Sequence, residues 1–372
     1  MHSFTRALIL GLSLCLVYAL VVSFYHPAGI VALLTIPHWD GDHYLSIASR
    51  GYYLYPCGEE LERTGFTLCG NPWFPGWAYW NNVISWVLHV SIRDAFAYSA
   101  ACFAVLAIAF SANASSCLLT QPDIGVHQRK LSEPILCSLF ALLQPAGFYL
   151  FTHFPYAFVI TLSWAYLSVF YGTTHRLKSL FLAPLAVAIS LAYPTGALVC
   201  LFPAVSTLAQ GVADGRLARS SRQVIGLVLP FCAGTLIVSA IFEARFDDFW
   251  LYFRHSAQFR HGESLLPMVF DWGSVRRREL AVSAWYAGGI FLFWRSGVFR
   301  IETIVYLLAL IVVSLITGPM HSIHRYLLLL FPLGAWVAYS DRPAWLKWSW
   351  LSMAVALHFL VFLPRYLEGR LI

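Results

Sequence analysis

The sequence predicts an all-α polytopic integral membrane protein, and three observations lead there. Of its 372 residues, 59% are hydrophobic and 11% charged, against roughly 45–50% and about 25% in soluble domains. Apolar runs recur along the whole chain, and a membrane-crossing helix needs about 20 such residues. Two connectors are long, 26–94 and 245–279, while the others are short, so no stretch remains for a soluble domain.

In order, the expected spans are 7–25, 95–118, 135–152, 156–172, 179–193, 196–211, 223–244, 280–294, 301–317, 326–340 and 346–363, about eleven in all. The first follows Arg6 and is longer than the apolar core of a cleavable signal, usually about 7–15 residues, so it is expected to be retained. With the N-terminus inside, the short inner connectors carry Arg6, Arg129, Lys130, Arg176, Lys178, Arg216, Arg219, Arg222, Arg295, Arg300, Arg342 and Lys347. Cations gathered in short loops mark the cytoplasmic side, whereas long loops count weakly. Only Asp123, Glu133, Asp214, Glu302 and Asp341 among the 18 carboxylates fall on the inner side. The polar chemistry is therefore expected on the extracytoplasmic face, in the two long loops.

Within the first loop, Tyr44, Ile47, Ala48, Gly51 and Tyr52 follow the i, i+3, i+4, i+7 spacing of a helix stripe, which predicts a helix floating at the membrane interface. Its polar start is the corner Asp40-Gly41-Asp42. Trp77 to Val90 predicts a second interfacial helix, because Trp and Tyr prefer that depth. Cys57 and Cys69 are the only cysteines in an outer loop, and an oxidising compartment would let them pair. The remaining cysteines, Cys15, Cys102, Cys117, Cys137, Cys200 and Cys232, lie in or beside spans, where a buried thiol is the default. No metal-ligand spacing such as C-x-x-C occurs, and no internal repeat is visible.

The pair Asp40 and Asp42 has three readings. Asp40 can cap a helix by accepting backbone N–H bonds at Asp42 or His43. A D-x-D pair also serves metal-dependent nucleotide-sugar enzymes, but these need a soluble nucleotide domain. Finally, a carboxylate at the membrane surface can act as general base on an acceptor hydroxyl, with the donor delivered by lipid. A departing lipid phosphate would need cations, and Arg holds phosphate with two parallel bonds. Candidates are Arg254, His255, Arg260, His261 and Arg276 to Arg278 in the second long loop, and His321, His324 and Arg325 at the outer mouth of a span.

The run Trp39-Asp40-x-x-His43-Tyr44 with Ile47-Ala48 and Gly51-Tyr52, then Trp73-Phe74-Pro75, Pro145-Ala146, and Arg325-Tyr326 ahead of Phe331-Pro332, resembles the PIG-V family of mannosyltransferases. The resemblance implies a GT-C-like fold and an inverting glycosyltransferase with its site on the periplasmic or endoplasmic-reticulum lumenal side. It implies polyprenyl or dolichyl phosphate mannose as donor, a glycolipid or glycan as acceptor, and membrane lipids as surroundings, with no cofactor or metal required and no nucleic-acid partner. Asp40 matches the family's catalytic acid, with Asp42 as second choice. Trp39, His43, Tyr44 and Trp73 match motif positions expected to line the sugar pocket. The stretch "HFPYAFV", His153 to Val159, departs from the family pattern by lacking an acid. A different class, a transporter or lipid flippase, would require ionisable groups near the bilayer midplane, and His358 is the clearest such residue. A non-enzymatic subunit of a membrane complex would explain the aromatic belts but not the acid corner.

Overall fold

A computed structural model describes residues 2–58, 68–114, 132–172, 178–258, 274–293, 300–317 and 323–370. Among these, the chain is helical apart from one small antiparallel hairpin. The first helix, α1 (His2–Val22), leads to a short α2 (Ile30–Thr35) and then α3 (Asp40–Arg50). Strands β1 (Leu54–Pro56) and β2 (Leu68–Gly70) pair next, followed by α4 (Gly76–Leu88) and α5 (Ile92–Ala114). Then come α6 (Ser132–Leu143), α7 (Tyr156–Gly172), α8 (Lys178–Ala192), α9 (Leu201–Ala213) and α10 (Leu217–Phe246). The rest comprises α11 (Leu251–Gln258), α12 (Ser274–Phe293), α13 (Ile301–Thr317), α14 (Ile323–Tyr326), α15 (Leu333–Ala338), α16 (Ala344–Ala356) and α17 (Leu363–Leu367).

Five helical segments among the described residues are long and apolar enough to cross a membrane: Phe4–Val22, Ile92–Asn113, Pro194–Ala213, Leu217–Phe246 and Ala344–Leu367. Their outward faces carry large apolar side chains, including Ile9, Leu12, Leu16, Leu20, Ile225, Leu229 and Leu360. A contiguous apolar exterior of this kind suits lipid rather than water. The chain is thus a predominantly helical, membrane-integral protein.

Helix α5 is the central column, packed on α1, α4, α6 and α7. Its buried face is built from Ala95, Ala100, Ala104 and Ala107, small residues that let helix backbones approach closely in an apolar medium. Gly11 of α1 is such an approach, since a Cβ there would lie 2.9 Å from the carbonyl oxygen of Val105.

Two expected spans are interrupted. The segment 135–152 is helical only as far as Leu143, because Pro145 has no N–H to donate, and it resumes as a 3₁₀ turn over Gly147–Phe151. Likewise 326–340 passes from α14 through a 3₁₀ turn, Leu327–Leu329, to Phe331-Pro332 before α15. The 196–211 span begins as a 3₁₀ helix, Pro194–Cys200. Irregular backbone at such depth survives only inside protein, with its polar groups satisfied. Residues 145–160 and 327–338 are accordingly buried throughout. The Gly147 N–H bonds the Gln144 carbonyl at 2.8 Å and the Tyr149 N–H bonds the Ala146 carbonyl at 3.1 Å.

The helix expected to float at the interface is α3, and its apolar stripe faces protein. Tyr44, Ile47 and Ala48 are buried against α4 and α5, so tertiary packing rather than lipid takes up the stripe. Helix α4 is two-sided: Trp77 is fully buried and donates its indole N–H to the His153 carbonyl at 2.8 Å, whereas Trp86, Val87 and Leu88 face outward. Cys57 and Cys69 form a disulfide that closes the hairpin loop. Cys15 and Cys137 are buried, but Cys102 and Cys232 sit on the outer surface of their helices, and Cys117 lies outside the described residues.

His358, the clearest intramembrane ionisable residue in the sequence and expected to hydrogen-bond a neighbouring helix, is fully buried and hydrogen-bonded to two neighbours. A carbonyl only accepts, so Nδ1–H donates to the Gln144 carbonyl at 2.9 Å, and Nε2 accepts from the Tyr18 hydroxyl at 2.9 Å. The ring thereby ties three segments together.

Gly76 tests how tightly the first loop is seated. A Cβ there would lie 2.7 Å from the Ala192 backbone nitrogen at the end of α8, and backbone cannot swing aside. Gly76→Ala is therefore expected to destabilise the protein by about 1–3 kcal/mol, read as a lowered melting temperature in detergent.

Candidate active site

The first loop, the break after α6, the end of α11, the start of α12 and the approach to α14 meet at one end of the bundle. Asp40 lies in the first turn of α3, and its Oδ2 accepts a hydrogen bond from Arg325 Nη1 at 2.9 Å. The partners are 285 positions apart in the chain. The Arg325 side chain is 11% exposed and that of Asp40 26%, so the pair sits at the lip of a buried region, where an unpaired charge would be costly. The Arg325 guanidinium also lies 5.2 Å from the Phe154 ring centroid, within cation–π range.

Asp40 does not cap its helix. The N-cap position is Trp39, with no side-chain cap bond, and the Gly41 and Asp42 N–H groups bond the carbonyls of His38 and Trp39 at 2.9 Å each. With the backbone satisfied locally, the Asp40 carboxylate is directed to Arg325 instead. Trp39 holds φ 48°, a conformation that costs a non-glycine residue about 1–3 kcal/mol. It packs edge-on against Tyr366, which is also met by His38.

His324, one residue before Arg325, is gripped by Glu279 from the first turns of α12. One Glu279 oxygen accepts the His324 backbone N–H at 2.7 Å, and the other lies 2.6 Å from Nδ1. Nε2 lies 3.3 Å from the Tyr149 hydroxyl. Both partners are almost completely buried. This clamp fixes the α14 backbone and so aims the adjacent Arg325. Glu279 was not singled out by its sequence context, where it merely ends a basic run at the mouth of a span.

The sugar-pocket candidates also converge. The His43 ring stacks on Trp73 with centroids 4.2 Å apart and planes 20° apart. Trp73 meets the edge of His255, from α11, at 5.2 Å. The Tyr52 hydroxyl donates to the Trp73 carbonyl at 2.7 Å, and Arg245 Nε–H donates to the Tyr52 carbonyl at 3.2 Å. Asn71, fully buried, accepts from the Tyr53 N–H and donates to the Gly51 carbonyl, locking the turn after α3. Tyr44 is buried beneath Asp40, and burial, reinforced by that carboxylate, pushes its hydroxyl well above its ordinary pKa. An aromatic wall continues through Tyr149, Phe154, Tyr156 and Tyr193, whose hydroxyls at 156 and 193 are 2.9 Å apart. The stretch 153–159, which lacks an acid, thus supplies the ring beneath Arg325 and part of this wall.

Arg254 is not brought to this corner. Its side chain is 66% exposed and pairs with Asp248, because on α11 it is His255, not Arg254, that faces Trp73. Arg260 and His321 lie outside the described residues, as does His261. Among the described residues, no group of three or more His, Cys, Asp or Glu side chains is placed to hold a metal ion.

Burial sets the electrostatics of the other groups. It raises the Asp42 carboxyl above its ordinary value, partly offset by His43, His38 and Arg93. It lowers His38 and His43, opposed by Asp42 at His38 and by Asp40 and Asp42 at His43. His153, 1% exposed, is lowered to about 4. Its Nε2–H donates to the Leu34 carbonyl at 2.9 Å, and Nδ1 has no hydrogen-bond partner among the described residues.

No protein-family model matches the chain, and no curated protein matches it.

Two outcomes are expected. Between about pH 6.5 and 4 the unfolded chain protonates His153 before the folded chain does, and the lowered His38 and His43 act in the same sense, so stability falls as pH drops through that window. His153→Gln should flatten the slope of melting temperature against pH over that range. Glu279→Ala leaves the buried His324 backbone and ring nitrogens without their acceptor and should cost about 1–3 kcal/mol, the penalty for an unsatisfied buried polar group, whereas Glu279→Gln should cost less in the same melting experiment.

Proposed function

We propose that the chain is an inverting glycosyltransferase of the GT-C type, built on about eleven spans and akin to the PIG-V mannosyltransferases, with its site in the extracytoplasmic corner around Asp40. The donor is a polyprenyl or dolichyl phosphate sugar, mannose by that resemblance, and the acceptor a hydroxyl of a glycolipid or glycan. The membrane is the bacterial inner membrane, with a periplasmic site, or the endoplasmic-reticulum membrane with a lumenal one. The observation that carries this reading is the Asp40–Arg325 pair, 2.9 Å apart at the lip of an aromatic-walled corner.

In this reading the acceptor O–H gives its proton to the Asp40 carboxylate as its oxygen attacks the anomeric carbon. The bond from that carbon to the phosphate oxygen breaks from the opposite face, and the electron pair leaves with the lipid phosphate. Among the described residues, Arg325 is the cation paired with the base and is suited to steady the charge developing on the phosphate. The stacked rings of His43 and Trp73 offer a flat apolar face for a pyranose. Glu279 and His324 act by holding Arg325 in place. Asp42 is the second candidate for the base, and its raised pKa moves it towards the range where a general base is most effective.

Purified protein, given polyprenyl phosphate mannose and a panel of glycolipid acceptors, is expected to release polyprenyl phosphate. Asp40→Asn should reduce turnover by at least about 10²-fold, the contribution of a general base, with an unchanged fold by circular dichroism. Arg325→Gln should lower turnover by about 10²–10³-fold, the effect of losing a donor to developing negative charge. Full activity in Asp40→Asn alongside loss in Asp42→Asn would move the base to Asp42, and full activity in both would end the proposal.

A further inference from the structure

At the end of the bundle away from Asp40, helices α7 to α10 enclose a cavity of about 490 Å³, within the range of about 300–1,000 Å³ typical of ligand sites. The two ends are well separated: α7 begins at Tyr156 in the aromatic wall and runs 17 residues, about 25 Å at helical rise, with Phe170 near its far end. The cavity exists because of two residues of α10. A Cβ on Gly226 would meet nothing within 4 Å. Pro230, four positions on, has no N–H, so the Gly226 carbonyl lacks its helical donor, and both residues line the space.

The polar groups of the cavity are few and ordered by depth. Lys178 at the start of α8 stands at the rim, its ammonium 4.6 Å from the Phe170 ring centroid and hydrogen-bonded to the Phe170 carbonyl. Tyr166, further along α7 from the rim, is 1% exposed, and its hydroxyl has no partner among the described residues. Between them the walls are mostly apolar, with Leu182, Ala183 and Leu227, and Thr207 and Gln223 add two further polar side chains. Outside the rim, Arg216, Arg219 and Arg222 at the start of α10 are exposed, so this end is positively charged. A soluble anion would match the rim but not the walls, and a neutral lipid would match the walls but not the rim.

We propose that this cavity binds one anionic phospholipid with a hydroxylated headgroup. Its phosphate rests on Lys178 and one acyl chain lies between α8 and α10. The Tyr166 hydroxyl donates to an ester carbonyl, and the Gly226 carbonyl accepts from a headgroup hydroxyl. None of these residues belongs to the Asp40 corner, so the test does not depend on sugar transfer.

The experiment is thermal unfolding of the full chain in mixed micelles titrated with phosphatidylglycerol, phosphatidylcholine or inorganic phosphate. Phosphatidylglycerol is expected to raise the melting temperature saturably, and the other two to do little. Lys178→Gln should weaken the apparent affinity for phosphatidylglycerol about fivefold, the worth of one cation near anionic lipid. Gly226→Leu fills the cavity from a position with open space and should abolish the effect with helicity retained. Should that variant lose helicity, Tyr166→Phe replaces it and should also weaken the response. Equal shifts with phosphatidylcholine or inorganic phosphate, or an unchanged phosphatidylglycerol response in Lys178→Gln and the cavity variant, would overturn the proposal.

Discussion

A charged pair at the edge of an apolar interior can exist only if its members are delivered to one another, and Asp40 with Arg325 makes that demand on nearly the whole chain. One partner sits on the first loop and the other 285 residues later. Each must arrive on rigid backbone. On the Asp40 side, rigidity comes from the buried stripe of α3, from Asn71 locking the turn behind it, and from Trp77 anchoring α4 to the His153 carbonyl. On the Arg325 side it comes from Glu279, which holds both the backbone and the ring of His324.

The interruptions in the helices serve the same end. A regular helix through 145–152 or 326–332 would spend its backbone groups on its own ladder and present side chains all round its axis. Breaking it at Pro145 lets Tyr149 and Phe154 pack from buried turns against the corner, and the buried turn Leu327–Leu329 follows directly on the short helix that carries Arg325. Such backbone is tolerable in a membrane protein because it is enclosed by other helices and bonded within itself. The cost in helical hydrogen bonds is met by tight turns such as that from Gly147 to Gln144.

The two ends of the bundle are built from different chemistry. At the Asp40 end, carboxylates, histidines and an arginine are interleaved with stacked rings, an arrangement suited to a polar reactant meeting an apolar carrier. At the other end, cations predominate, Lys347 donates to the carbonyls of Ala338 and Ser340, and Tyr171 donates to Glu302. The proposed sugar transfer uses the first end and the proposed lipid site the second.

The sequence alone determined the helical membrane class, the ends of α7 and α13, the helices α3 and α4 within the first loop, and the acid corner at residue 40, because hydropathy and periodicity are local properties carried by neighbouring residues. It also put Arg325 among the candidate cations. It did not show that Arg254 turns away from the corner, reveal Glu279, or show that the α3 stripe would meet protein instead of lipid. Those outcomes depend on which distant surfaces meet. Whether a carboxylate caps its own helix or pairs with an arginine 285 residues away is decided by packing and desolvation across the assembled bundle, and no local pattern encodes it.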